Sequence, residues 1–128
     1  KMLFYCDFLH AKHFNQTVTG LAYVRLQHGP VPDKYQLILD TLQESGVMQV
    51  LEVPSGVYVA YKHRALRSAN LSCFSARELQ VLAKVRSTLE RKNAEDLQQM
   101  SRSERASRMT KPGEAVQLSL AKSLSMSL

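Results

Sequence analysis

Tryptophan is absent from the 128-residue sequence, and cysteine (two), glycine (five) and proline (four) are sparse. Two cysteines, Cys6 and Cys73, are too few for a disulfide framework, which excludes a small crosslinked secreted scaffold. Each lies beside an aromatic residue, and both are read as buried thiols of a protein in a reducing cytoplasm. The scattered glycines leave no loop to cradle a phosphate, and nucleophile-elbow, P-loop and paired-cysteine patterns are missing. No apolar run reaches the roughly 20 residues that a membrane-spanning helix needs. The expectation is a protein that is not an enzyme, holds no cofactor and has no membrane partner.

What is present suits a single globular domain: 45% of the residues are hydrophobic, enough for one core of ordinary size. The formal net charge of +6 is unevenly spread. Residues 1–60 carry four Lys/Arg against five Asp/Glu, and residues 61–128 carry thirteen against six. A basic second half suits an acidic partner or nucleic acid, or simply a solvated face. The apolar run begins directly after Lys1 with no capping residue, so the natural protein is expected to continue upstream.

Residues 2–14 read as a helix that is apolar on most sides, hence buried. Asn15 to Gly20 is rich in turn formers, and Leu21 to Leu26 is short and β-prone. Gly29-Pro30-Val31-Pro32 fixes the backbone before a second helix. Pro32 fits its first turn, and Asp33 favours its positive end. Tyr35, Ile38, Leu39 and Leu42 then recur at i, i+3, i+4, i+7, and Gly46 is the stop. Residues 48–53 and 57–61 flank Pro54-Ser55-Gly56, which predicts a hairpin with a three-residue loop. Ser75 and Glu78 form a capping box, stapled by Phe74 and Leu79, opening a helix that buries Leu79, Leu82, Val85 and Leu89. Asn93 caps a helix carrying Leu97 and Met100. Ser101 and Glu104 repeat the box pattern. Beyond Pro112-Gly113, Val116, Leu120 and Leu124 suggest a last helix. The predicted fold class is α+β, mostly α-helical, in one compact domain with a buried N-terminal helix and a small β-hairpin.

Three constellations invite a functional reading. His10 and His13 share a helix face, but lack further ligands at metal spacing except Asp7. Asp7 sits in an apolar helix, where a carboxylate needs partners. It either ties down a nearby loop, through backbone N–H groups or Arg25, or anchors a partner. Arg102, Arg105 and Arg108 recur every three residues, and Glu104 can pair with Arg108. The helix–hairpin order also resembles a winged helix and raises a DNA-binding regulator as the alternative. The helix, however, holds Lys34 against Asp33, Asp40 and Glu44, and a duplex would repel it. DNA contact would fall to the basic second half or to an upstream domain.

The run from Lys1 to His10, then Thr19-Gly20, Tyr23-Val24-Arg25-Leu26 and His28-Gly29-Pro30-Val31-Pro32, resembles the Panacea antitoxin domain, the SocA-like or GepA-like phage-associated family. Phe74-Ser75, Glu78-Leu79 and Lys111-Pro112-Gly113-Glu114 fit its later part, and the similarity extends over residues 1–128. Gln27 stands where the family often has proline. Arg102 replaces a frequent histidine, and the tryptophan that usually follows is missing. The resemblance implies a bacterial type II antitoxin that neutralises a co-encoded protein toxin by direct binding. In the SocA type, the toxin is delivered to a cytosolic AAA+ protease. The candidate partner-binding residues are Tyr23, Arg25, His28 and Pro30, supported by Asp7 and His10, on a proline-stiffened backbone.

Overall fold

The apolar run after Lys1 forms helix α1 (Met2–Phe14), and every side chain from Phe4 to Ala11 is buried. A helix that is apolar nearly all round has no face to offer water, so the rest of its unit wraps it. The computed structural model describes all 128 residues. Their contacts fall into two units, residues 1–33 with 72–128, and residues 34–71. The architecture is α+β, with two antiparallel two-stranded sheets.

In the first unit, α1 packs against α3 (Ala76–Leu89) and a 3-10 segment at Leu118–Ser123. Phe4, Tyr5, Phe8 and Leu9 meet Val81, Val85 and Leu89 in the core, and Ala121, Leu124 and Met126 join them. The Ser75–Glu78 capping box forms as the spacing predicts. The inward stripe of α3 is Val81, Val85 and Leu89, with Leu79 and Leu82 only half-buried. Asn93 accepts from the Asp96 N–H and caps α4 (Ala94–Ser103).

Several local expectations are overturned. Gly29–Pro32 is a strand, β2, paired antiparallel with β1 (Tyr23–Leu26). The Asp33 N–H extends that pairing to Ala22 O, so Pro32 is not in a helix and Asp33 caps nothing. Ser101 and Glu104 form no capping box. Ser101 is buried and bonds Gln98 O within α4, while Glu104 turns into the core. The chain bends at Glu104 before the short α5 (Arg105–Arg108), which splits the arginine stripe between two helices. Arg108 donates to Ser103 O rather than pairing with Glu104. The expected last helix is the 3-10 segment. Cys6 is buried as expected, but Cys73 is exposed.

The second unit comprises α2 (Tyr35–Glu44), β3 (Met48–Ser55) and β4 (Tyr58–Ala65). Helix α2 starts from Lys34 in a left-handed conformation at φ 57° and stops before Gly46 at φ 73°. The hairpin pairs Ser55 with Tyr58, so its loop is the two residues Gly56-Val57 rather than three. Gly56 at φ 62° supplies the positive φ that such a tight turn requires at its first position. Helix α2 packs on β3.

Candidate partner-binding surface

The residues singled out around the N-terminal motif build an interior framework. Asp7 has no exposed surface. Its Oδ1 accepts from the N–H groups of Val18 (2.7 Å) and Thr19 (2.8 Å). Its Oδ2 accepts from the Thr19 hydroxyl and the Tyr23 hydroxyl, each close to 2.5 Å (2.5 and 2.6 Å). Four donors on one carboxylate offset the cost of burying it and pin the 15–20 turn onto α1. Burial and the hydrogen bond to Asp7 push the Tyr23 phenol well above its ordinary pKa.

Arg25 does not reach Asp7. It is half-buried, and its Nη1 donates to Thr110 O at 2.6 Å. His10 is buried, and its Nδ1 donates to Gln16 O at 2.5 Å. His13 accepts from Leu128 N–H instead of joining His10, and no group of three or more His, Cys, Asp or Glu is placed to hold a metal ion. Pro30 is fully buried beside α1, and the Lys1 ammonium donates to its carbonyl. Burial lowers the Lys1 side chain to about 8. Of the six candidate residues, His28 alone is exposed, at the β1–β2 turn.

A second buried carboxylate, Glu104, accepts from the Tyr5 hydroxyl at 3.3 Å, and from the Ser125 N–H (3.0 Å) and hydroxyl. Burial first, and the neighbouring Glu104 charge second, raise the Tyr5 phenol. The box-like Ser-x-x-Glu spacing conceals this role, because the partners lie far away in sequence.

The surface suited to recognition lies in residues 34–71. Helix α2 has no buried residue, and every residue of β4 is exposed. Val57, Tyr58, Val59 and Tyr61 are 93%, 76%, 55% and 62% accessible, and Leu37 is 63% accessible. Clustered apolar exposure of this kind marks interaction sites, and an uncovered edge strand offers unpaired backbone groups.

Within this unit, alternation sorts the hairpin's side chains. The register sets Val50 opposite His63 and Glu52 opposite Tyr61, which puts these four on one face. Gln49 with Arg64 and Leu51 with Lys62 occupy the other. The first face and the α2 side chains Tyr35, Gln36, Leu39 and Gln43 line a groove of about 610 Å³. Gln36 donates to Asp40 at 2.9 Å, which sets a carboxylate beside the helical wall. Arg64 donates to Gln49 on the opposite face. As a site these groove residues escaped the sequence reading, in which Tyr35 and Leu39 are the apolar stripe of an amphipathic helix. The signal was the pairing of an amphipathic helix with a hairpin that has no second layer of its own.

No helix is long and apolar enough to cross a membrane. Residues 1–106 match the protein family described as antitoxin SocA-like, Panacea domain. No curated protein and no solved structure matches the chain.

Proposed function

Because the chain belongs to the SocA-like antitoxin family through a Panacea domain matched over residues 1–106, we propose that it neutralises a co-encoded protein toxin by binding it directly, as the antitoxin of a type II system. The supporting observation is the uncovered surface of residues 34–71, with an edge strand exposed along its whole length. Such a surface supplies an apolar centre and an open sheet edge, two established ways of holding another polypeptide. In the other unit, His28 is the proposed contact residue. Tyr23, Arg25 and Pro30 lie in the two strands that flank its turn, and Asp7 and His10 support them from α1 through Tyr23 and the 15–20 segment. Residues 107–128 are proposed as part of the same domain, and the place of Val116, Ala121, Leu124 and Met126 in the core supports this. The cytoplasm is the proposed site of action, with the bound toxin passed to an AAA+ protease.

The DNA-binding alternative gains no support. Helix α2, the would-be recognition helix, contains Asp40 and Glu44 and no basic residue. The test is coexpression with the product of the adjacent reading frame. Growth rescue together with co-purification is the expected result. A toxic neighbour that this protein neither binds nor neutralises overturns the reading. Protease delivery is read separately, as a toxin half-life that shortens only when antitoxin and protease are both present.

A further inference from the structure

We propose that the groove between α2 and the β3–β4 hairpin receives an arginine side chain of the bound toxin, an inference that rests on the antitoxin reading. The argument is one of charge and shape. Glu52 is the only formally charged residue lining the groove, and Asp40 stands beside its helical wall. The hairpin's own cations beside the groove residues, Lys62 and Arg64, are carried to the opposite face by strand alternation, and Arg64 is engaged with Gln49. Glu52 has no ion-pair partner, since the chain's one salt bridge is Arg86–Glu90. Tyr61 lies directly across the ladder from Glu52, and Tyr35 lines the facing helix.

A carboxylate flanked by exposed phenol rings matches a guanidinium. The carboxylate can accept two parallel N–H bonds, and the rings offer π-faces to a planar, weakly hydrated cation. An anionic ligand would meet the Glu52 carboxylate, with Asp40 beside the helical wall. A wholly apolar one would desolvate Glu52 without a partner.

The probe is N-acetyl-arginine methylamide, titrated into the full 128-residue chain while the ring resonances of Tyr35, Tyr61 and His63 are followed by NMR. Saturable shifts are expected. Affinity should fall about tenfold in Glu52→Gln, the loss of one charge-assisted contact. The lysine analogue should bind more weakly, and the glutamate analogue should not saturate. Absent shifts, or equal affinity in Glu52→Gln, overturn the proposal. A second arm uses toxin rescue. Glu52→Lys, at an exposed site and with an unchanged unfolding midpoint, should lose protection. If the wild-type chain and Glu52→Lys protect equally, the groove inference fails while the antitoxin reading stands. If the wild-type chain itself fails to protect, the antitoxin reading fails, and the probe titration decides the groove's preference for guanidinium.

Discussion

The Tyr23 hydroxyl donates to the Asp7 carboxylate over 2.6 Å, joining the first strand to the middle of the buried first helix. Both side chains are almost wholly inaccessible, and the same carboxylate also holds the turn between those elements. Removing Asp7 therefore orphans several donors at once. Asp7→Ala is expected to cost about 3 kcal/mol, and Tyr23→Phe, which keeps the ring, about 1 kcal/mol. Urea denaturation checks both, and equal losses for the two variants would contradict this ranking.

Gly29→Ala is expected to destabilise the first unit. Gly29 lies at φ 104°, and an added Cβ would stand 2.6 Å from Ser101 Oγ. The conformational and steric terms together amount to about 3 kcal/mol. Adding Ser101→Ala removes the clashing oxygen but not the backbone strain. The double variant should therefore recover part of the thermal midpoint, and full recovery would show that the conformation costs nothing.

Alkaline pH should weaken the fold. Burial first, and the adjacent Asp7 charge second, raise the Cys6 thiol from 9.0 to about 11. The folded state thus holds that proton more tightly than the unfolded chain does. The stabilisation is complete below pH about 9 and is lost as pH climbs toward 11. Tyr5 and Tyr23 are shifted in the same direction. The urea midpoint should fall between pH 8 and pH 10.5, and less steeply in Cys6→Ala. A thiol reagent at pH 8 should label exposed Cys73 promptly and Cys6 only on unfolding.

Lys12→Met should loosen the C-terminal segment. The Lys12 ammonium donates to Leu124 O at 2.6 Å, Met126 O at 2.9 Å and Ser127 Oγ at 2.6 Å. Amide exchange at residues 124–128 is expected to accelerate at least tenfold, with α3 protection retained. Uniform acceleration across the unit would mean that the segment unfolds only with the whole.

Legibility in the sequence followed the range of the interactions. The Ser75–Glu78 box, the Asn93 cap and the burial of α1 depend on neighbours a few residues apart, and all three formed as the pattern predicts. Ser101 and Glu104 repeat the spacing of that box, yet Glu104 bonds Tyr5, 99 positions away. No local rule distinguishes the two cases. Strand β2 was hidden because two of its four residues are prolines, which read as backbone stiffeners until β1 is seen to pair with them. The groove was hidden for a different reason. The apolar periodicity of α2 predicts burial, but within its unit the layer it packs on is a two-stranded sheet, so Ile38, Leu39 and Leu42 are only half-buried and Tyr35 stays exposed.

Residues 117–128 close over a helix synthesised more than a hundred positions earlier. On the ribosome, α1 emerges long before Leu124, Met126 and Ser125 arrive to cover it and to engage Lys12 and Glu104. Until then the side of it that they cover is open to chaperones and degradative enzymes. Translation halted before that final stretch would leave a molecule whose first helix stays bare along one side, and quality control would sort it from the finished one.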